Sequence, residues 1–506
     1  MLKNKSQILT FSLIFLFVLG ILSSFGLPPY NFYYINFITF PSLFLIILNN
    51  NLKFNFFAGW FFGTGYFISN LYWLTNSLTF EDIFKPLIPL VFILLPLLLG
   101  LFFALSTLIF SFFKPKKNFS SILLFAIVLS FIDFLRGNII TSFPWNMIVY
   151  SLSDNYKSIQ ILSVIGTYSL NLIVLTIFLL PSIFFLKTSL SKKLIITVTT
   201  IIFCSLNYLY GSLVIKNFKE YTIYKLDSKI KIVSPNISLE RYFAGENPET
   251  LINEISKISE PEDSVNTIFV FPEGILNFYL QDLSNFEHNF NKYFSDKHSI
   301  IIGINSIDDN NIYNSMIAID NNLNLIEKYD KNKLVPFGEY LPFEFLLKKI
   351  GLKKITQGYQ SFNKSSKRDL FELNDLKFLP LICYEIIDTG KLNSDKHNFN
   401  FILNISEDGW FGDSIGIHQH FAHAKFRAIE EGKYVIRSAN NGISAIIEPT
   451  GNYFDKIKST EKGFIELKEY RNAKKTPFSS FGNKIFFYFI IIYISFFLFL
   501  TKFKRG

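Results

Sequence analysis

The chain has 506 residues, half of them hydrophobic, with 61 phenylalanines and a positive mean hydropathy. This much apolar surface, concentrated in blocks, is not typical of a soluble enzyme and indicates a polytopic membrane protein with one long polar insert. The formal net charge is +9. Many lysines stand at the ends of the hydrophobic blocks, which is typical of topology signals and argues against a nucleic-acid-binding face.

The apolar blocks divide the chain into three regions. The first block, Ile8 to Phe25, follows Lys3 and Lys5 and has no convincing cleavage site, so it is predicted to be an uncleaved membrane helix. Later blocks lie at 36–49, 55–75, 86–112, 120–136, 158–186, 193–213 and 485–501. Most approach the roughly 20 residues that a helix needs to cross the hydrocarbon. We therefore expect about eight spans, in a transmembrane region 1–213 and a last helix with its tail at 485–506, and a polar insert at 214–484.

Lysine placement predicts the orientation. Lysine-rich segments precede the first block, follow the fourth and sixth blocks, and end the chain at Lys502, Lys504 and Arg505, whereas the alternate loops are poor in lysine. The positive-inside rule places the lysine-rich side in the cytoplasm. The insert is then predicted to face the opposite side, which is the periplasm if the host has two membranes.

Two groups of residues in the membrane region are candidates for a functional role. Pro28-Pro29-Tyr30 and Phe143-Pro144-Trp145 lie in outer-face loops, where they suit either interfacial anchoring or the seating of a lipid. Asp133 and Arg136 are three residues apart and share one helix face. An intramembrane acid is a functional candidate, but here an ion pair with Arg136 is the favoured interpretation.

The insert has the pattern of a single α/β domain, because short β-rich runs alternate with polar stretches that can form helices. The predicted strands are Lys229–Val233, Thr267–Phe271, Ile300–Ile304, Met316–Asp320, Lys377–Cys383 and Phe401–Ile405. The clearest predicted helices are Asn247–Ser259 and His418–Glu431.

One predicted strand ends in Cys383. The other cysteine, Cys204, lies far upstream in an apolar block, so no disulfide framework is expected. A lone cysteine at a strand end is more often a small buried residue than a nucleophile. However, Glu273 in Phe-Pro-Glu-Gly and Lys331 in Tyr-Asp-Lys supply the base and the cation that a cysteine nucleophile needs. Strands that end near Glu273, Cys383 and Asn404 would bring these side chains to one sheet edge.

These residues resemble the Glu-Lys-Cys triad of the nitrilase superfamily. Longer motifs are similar to the apolipoprotein N-acyltransferase family: Leu334–Pro342, Asp408–Ser414, His418–His420, Arg437–Gly442, Arg136-Gly137 and Phe143–Trp145. The resemblance covers nearly the whole chain. It implies an α-helical membrane bundle that carries an α/β nitrilase-like αββα sandwich, located in a bacterial inner membrane with the catalytic domain in the periplasm.

The resemblance also implies a ping-pong reaction. Glu273 would act as general base on Cys383, whose thiolate would attack the sn-1 ester of a phospholipid, commonly phosphatidylethanolamine. Lys331 and the backbone N–H of Tyr384 would stabilise the oxyanion. The thioester would then pass its acyl chain to the α-amino group of the diacylglyceryl-cysteine of an apolipoprotein. The enzyme is expected to need no cofactor and to be a monomer.

Further site residues are carried over from the same resemblance. Glu339 is expected to orient Lys331, and Glu385 to orient its own loop. The family has a tryptophan in a mobile loop over the site, where this chain has Tyr242 and Phe243 instead. These two residues, together with Trp410 and Phe411, are the candidate substrate contacts.

Other interpretations remain open at this point. His418, His420 and His423 could supply metal ligands, but no acid or cysteine is clearly spaced to complete a set, so no metal is expected and a helix behind the site is favoured. A membrane-tethered amidase could use the same triad with water as the acceptor. A transporter is disfavoured because the predicted spans contain few ionisable residues.

Overall fold

The structure is a computed structural model that describes residues 2–140, 142–243, 245–342, 344–347, 349, 353–355, 360–392 and 398–502. Lys504 and Arg505, which entered the topology prediction, lie outside these residues. Among the described residues, regular structure is helical up to Lys219 and again from Lys484, and every strand lies between Ile223 and Arg471.

Each predicted apolar block coincides with a helix. The helices of the membrane part are α1 (Leu2–Ser24), α2 (Asn36–Ile47), α3 (Leu52–Leu71), α4 (Ile88–Phe112), α5 (Phe119–Leu135), α6 (Tyr156–Ile159), α7 (Leu162–Leu179) and α8 (Leu190–Lys219). Among the described residues, five helical segments are long and apolar enough to cross a membrane: Asp82–Phe112, Phe119–Ile139, Leu162–Phe185, Leu190–Lys219 and Lys484–Thr501. The apolar stretches of α1 and α2 are shorter, so the count of eight crossings stays a prediction.

Glycines let the first membrane helices approach closely. A side chain on Gly65 of α3 would collide with the Phe17 carbonyl of α1, and one on Gly59 would collide with Thr107 and the Phe103 carbonyl of α4. Small residues at such contacts allow helix backbones to pack directly. Helix α3 is therefore packed between α1 and α4.

The insert folds into two six-stranded sheets. The strands are β1 (Ile223–Ser234), β2 (Thr267–Val270), β3 (His298–Asp308), β4 (Asn311–Ile319), β5 (Leu325–Asp330), β6 (Phe371–Leu373), β7 (Leu376–Ile382), β8 (Phe401–Glu407), β9 (Tyr434–Asn440), β10 (Ser444–Ile447), β11 (Tyr453–Ile457) and β12 (Gly463–Arg471). The first sheet has the order β12-β1-β2-β3-β4-β5 and the second has β11-β10-β9-β8-β7-β6. All six predicted strands fall on observed ones.

Helices cover the outer faces of the two sheets, as an αββα sandwich requires. Helices α9 (Pro248–Ser259) and α10 (Glu287–Asn291) belong to the first sheet, and α12 (Ile415–Glu431) covers the second. Three more helices are described, α11 (Glu344–Leu347), α13 (Pro477–Phe481) and α14 (Lys484–Lys502). The α/β fold class predicted from the sequence is confirmed.

Strand direction brings the candidate residues to one edge. Strands β1, β2 and β3 are parallel, and two antiparallel steps through β4 return β5 to the direction of β2. Glu273, which follows β2, and Lys331, which follows β5, therefore lie at the same end of the first sheet. In the second sheet β7, β8 and β9 are parallel, so Cys383 and the end of β8 share an edge.

The loop that contains Phe143-Pro144-Trp145 packs inside the protein. Trp145 is 1% exposed and donates from Nε1 to Gln419 Oε1 of α12 at 2.8 Å. Neither interfacial anchoring nor lipid seating describes this tryptophan, because its ring is buried between the membrane part and α12. The expected pair is present: Arg136 Nη2 lies 3.0 Å from Asp133 Oδ1, and the same guanidinium donates to the Phe143 and Trp145 carbonyls.

Candidate active site

Cys383 lies at a strained point of the main chain. It directly follows β7, begins a short helical turn to Ile387, and has a φ of 49°. A non-glycine residue with positive φ is uncommon and persists only where its surroundings hold it. Burial, together with the nearby Glu273 carboxylate, raises the pKa of the Cys383 thiol well above its usual value. The resting thiol is therefore protonated at neutral pH and needs a base.

Glu273 and Lys331 are in direct contact beside this thiol. Lys331 Nζ lies 3.1 Å from Glu273 Oε1, and both side chains are buried. The other carboxylate oxygen, Glu273 Oε2, accepts the main-chain N–H of Glu407 at 2.9 Å. Both charged groups also act electrostatically on Cys383. The structure thus brings together the three residues that the sequence placed on separate strands.

A second carboxylate holds the lysine. Glu339 Oε1 lies 2.9 Å from Lys331 Nζ, and Glu339 Oε2 accepts the Val335 N–H at 2.7 Å. Although burial alone would lower it, Glu273 and Glu339 hold the pKa of Lys331 well above its usual range. Lys331 is accordingly a permanent cation. Asn314, which the sequence analysis did not single out, donates to both Glu273 and Glu339 at 2.7 Å.

Glu385 joins the nucleophile loop to the lysine loop. Its side chain is fully buried and accepts the N–H groups of Ile382, Asn332 and Lys333, at 2.8, 3.0 and 3.1 Å respectively. Tyr329 donates its hydroxyl to both carboxylate oxygens, and Arg368 Nη2 lies 3.1 Å away. Asn332 follows Lys331, and Ile382 precedes Cys383. The Glu385 side chain therefore fixes the distance between the loop that carries Lys331 and the loop that carries Cys383.

Tyr384 and Lys333 connect the nucleophile loop to the membrane part. The Tyr384 hydroxyl and Lys333 Nζ both donate to the Ser142 carbonyl, at 3.3 and 3.1 Å. Lys333 also pairs with Asp388 and lies over the Tyr384 ring. Ser142 belongs to the loop after α5, so the loop that carries Cys383 is supported directly by the membrane part.

Three of the four candidate substrate contacts form one aromatic group with Phe80 of the membrane part. Tyr242 stacks on Trp410, with ring centroids 6.3 Å apart, and its hydroxyl donates to the Gly274 carbonyl. Phe243 stacks on Phe80, which meets Trp410 edge-on. Phe411, the fourth candidate, lies in a separate group and packs against three rings, those of Trp73, Trp145 and His420.

Buried charges at the end of β8 were not identified from the sequence as part of the site. Glu407 pairs with Arg241 at 2.6 Å, and Asp408 pairs with Arg437 at 2.7 Å. Both acids lie just beyond Asn404 on the same strand end and could have been found by extending the same strand-end argument. The three histidines lie on α12, as predicted, and His420 Nδ1 lies 2.9 Å from Asp408.

Two family models match the chain. The apolipoprotein N-acyltransferase N-terminal domain matches residues 19–180, and the carbon-nitrogen hydrolase model matches residues 293–467. Among solved structures, a CN-hydrolase superfamily protein from Xanthomonas campestris is 13% identical, with a TM-score of 0.33, and covers 48% of this chain and 90% of its own. Because that TM-score is low, the family assignment rests on relatives in sequence.

Those relatives match almost from end to end. The apolipoprotein N-acyltransferase of Wigglesworthia glossinidia brevipalpis is 31% identical over 495 residues, covering 95% of this chain and 96% of the relative. The enzyme of that name from Allorhizobium ampelinum is 30% identical over 469 residues, covering 88% and 87%. With this identity across both the membrane part and the α/β domain, the chain belongs to the apolipoprotein N-acyltransferase family.

Proposed function

We propose that this protein transfers an acyl chain from a phospholipid to the α-amino group of the N-terminal diacylglyceryl-cysteine of apolipoproteins. The observation that carries the proposal is the buried cluster of Cys383, Glu273 and Lys331. The neighbouring residues Lys333 and Tyr384 contact Ser142 of the membrane part. A thiol with a neighbouring base and a permanent cation is suited to acyl transfer through a covalent intermediate.

In the first half-reaction Glu273 takes the proton of the Cys383 thiol, and the thiolate attacks the carbonyl carbon of the sn-1 ester. The negative charge moves to the carbonyl oxygen, where the Lys331 ammonium and the Tyr384 N–H stabilise it. When this intermediate collapses, the ester C–O bond breaks and the lysophospholipid oxygen takes the proton from Glu273. The acyl chain remains on Cys383 as a thioester.

In the second half-reaction the neutral α-amino group of the acceptor attacks the thioester carbonyl. The same two donors stabilise the second oxyanion, and Glu273 takes the proton that the nitrogen loses. The C–S bond then breaks, and the Cys383 sulfur recovers a proton from Glu273. A thioester retains enough acylating power to form an amide, which makes it a suitable intermediate for an amine acceptor.

The surrounding residues support these steps. Glu339 holds Lys331 beside Glu273, and Glu385 sets the distance between the lysine and cysteine loops. The aromatic group of Tyr242, Phe243 and Trp410, together with the separate ring of Phe411, supplies apolar surface for acyl chains. These contacts agree with the roles that the sequence resemblance implies for each residue.

The proposed setting follows from the topology prediction. The catalytic domain comprises residues 214–484 and faces the periplasm from a bacterial inner membrane, with the lysine-rich loops in the cytoplasm. Phosphatidylethanolamine is the proposed donor and a monomer the proposed working unit. The reaction described above requires only groups of the protein and its two lipid substrates.

Intact-mass measurement tests the first half-reaction. The detergent-purified protein is mixed with phosphatidylethanolamine in the absence of an acceptor. The wild type should gain the mass of one acyl chain, which neutral hydroxylamine removes, whereas Cys383→Ser should gain no hydroxylamine-labile chain. Absence of a labile adduct on the wild type under these conditions would contradict the proposal.

A further inference from the structure

A buried histidine contacts the main chain of the nucleophile. His420 Nε2 lies 3.3 Å from the carbonyl oxygen of Cys383, and the His420 side chain is fully buried. The Trp145 ring stacks on the imidazole, with centroids 5.5 Å apart, and Phe411 meets it edge-on. The ring is thus held in one orientation, with Nε2 directed at the residue that carries the thiol.

Whether the Cys383 contact is a hydrogen bond depends on which nitrogen of the imidazole carries a proton. A carbonyl oxygen only accepts, so the Cys383 contact is a hydrogen bond only when Nε2 carries the proton. Arg437 Nη2 lies 3.2 Å from Nδ1, where it can donate to the lone pair of that tautomer. Asp408 Oδ1, 2.9 Å from Nδ1, accepts only when Nδ1 carries a proton, so the Cys383 and Asp408 contacts are hydrogen bonds together only in the imidazolium ion. Burial lowers the pKa of His420, and Asp408 opposes that shift. A neutral ring protonated only on Nδ1 would instead turn its Nε2 lone pair toward the carbonyl oxygen.

Asp408 is a fixed negative charge in this arrangement. Although burial alone would raise it, the Arg437 guanidinium and His420 hold the pKa of Asp408 well below its usual range. The carboxylate also accepts the Ser406 hydroxyl at 2.6 Å. Asp408 therefore orients the imidazole and stays ionised throughout the neutral pH range.

The contacted carbonyl belongs to the same planar peptide unit as the Tyr384 N–H. A hydrogen bond to the carbonyl end fixes the direction of the N–H at the other end and polarises the amide toward stronger donation. Cys383 has a φ of 49°, which does not occur in regular strands or right-handed helices. Regular secondary structure therefore does not hold this peptide unit, and the histidine contact does.

We infer that His420, oriented by Asp408, is a positioning residue that aligns the Tyr384 N–H with the oxyanion of both half-reactions. This inference rests on the proposed function, since it assigns the Tyr384 N–H to the oxyanion. His420 touches no reacting atom and acts through the peptide unit between Cys383 and Tyr384. Its loss should slow acylation and leave the KM for phospholipid unchanged.

Two amide variants separate the two contacts of the imidazole. In His420→Asn the amide nitrogen takes the place of Nδ1 and keeps the Asp408 contact, but the side chain is too short to reach Cys383. In His420→Gln the amide nitrogen reaches the place of Nε2. We expect His420→Asn to lower the single-turnover acylation rate by about tenfold and His420→Gln to stay within about threefold of wild type.

A matched control comes from the same helix. His423 is buried one turn away, against Trp145 and Tyr150, and His423→Asn should leave the acylation rate and the KM unchanged. The thermal unfolding of all three variants is compared with wild type. If His420→Asn does not fold, the folded His420→Gln decides the question through the spectroscopic measurement.

The decisive readout is the infrared carbonyl stretch of the thioester, using a phospholipid with a ¹³C-labelled acyl carbonyl. A weaker or misdirected oxyanion donor raises this frequency, so His420→Asn should lie above wild type, and His420→Gln and His423→Asn should match it. Equal rates and frequencies for the Asn and Gln variants, or a raised frequency in folded His420→Gln, would overturn the inference. A wild type that forms no acyl-enzyme would instead contradict the proposed function itself.

Discussion

The two sheets of the α/β domain have different surroundings on their outer faces. Helix α9, on the first sheet, buries one face through Leu251, Ile252 and Ile255 and exposes the other, as an amphipathic surface helix does. Helix α12, on the second sheet, is buried at every position except His418. Gln419, Lys425 and Arg427 of α12 therefore contact the membrane part, whereas the charged residues Glu249 and Lys257 of α9 are exposed.

The three residues of the proposed triad are divided between the two sheets. Glu273 and Lys331 follow strands of the first sheet, whereas Cys383 follows a strand of the second, which the membrane part covers through α12 and the Ser142 loop. The proposed nucleophile thus lies on the side of the domain that packs against the membrane part. The base and the cation reach it from the half of the domain that faces solvent.

The largest expected effect comes from removing Glu273, the proposed base. Glu273→Gln should lower the rate of acyl-enzyme formation by about 10²- to 10⁴-fold, since the buried thiol then has no group to take its proton. Glu249→Gln, an exposed acid of α9 near the same sheet, is the control and should keep the wild-type rate. Single-turnover mass measurements check both, and a Glu273→Gln enzyme within tenfold of wild type would show that another group is the base.

The contact between α12 and the membrane part can be broken at Gln419. Gln419 accepts from Trp145 and Asn146 and donates to Asn70, so Gln419→Leu leaves buried polar groups without partners. We expect a loss of about 2–4 kcal/mol in the free energy of unfolding. Among the described residues, the Ser256 hydroxyl of α9 has no hydrogen-bond partner, so Ser256→Ala should be neutral or slightly stabilising. Equal effects of the two substitutions in denaturant titrations would contradict the difference between the helices.

The last residue of α12 offers a test by pH. Burial, with help from Glu430, raises the pKa of Glu431 to about 8. Above the ordinary pKa of a glutamate the unfolded chain loses this proton, whereas the folded protein keeps it until about pH 8. The free energy of unfolding therefore falls as the pH rises toward 8. Glu431→Gln cannot ionise and should raise Tm relative to wild type by an amount that grows from pH 5 to pH 8. A difference in Tm that is constant across this range would show that Glu431 ionises normally.

The smallest expected effect distinguishes Tyr242 from Phe243, the two aromatic residues of the loop that is expected to cover the site. Tyr242 is tied to the first sheet through Gly274, whereas Phe243 stacks on Phe80 of the membrane part. Phe243→Ala should raise the KM for phospholipid about fivefold through lost apolar contact. Tyr242→Phe keeps its ring on Trp410 and should change KM less. The opposite order in steady-state measurements would assign the lipid contact to Tyr242.

The sequence predicted the elements and the triad because both depend on local patterns. Apolar blocks, β-rich runs and strand-end residues such as Glu273 and Cys383 can each be recognised from a short stretch of neighbouring residues. The partners of α12 could not be predicted in this way. Trp145 and Gln419 are 274 residues apart, and a tryptophan in a membrane-side loop has the same local pattern whether it meets lipid or protein. Asn314 was missed because one amide in a strand carries no local signal of the two carboxylates it joins.

The fate of the acyl chain on Cys383 tests the central claim most directly. The isolated acyl-enzyme, carrying a labelled chain, is mixed with a peptide that begins with diacylglyceryl-cysteine, and the label is followed by mass spectrometry. The label should pass to the peptide as an amide while the protein loses the mass of one acyl chain. Release of the label as free fatty acid, at the same rate with and without the peptide, would show that the triad serves a hydrolase with water as its acceptor.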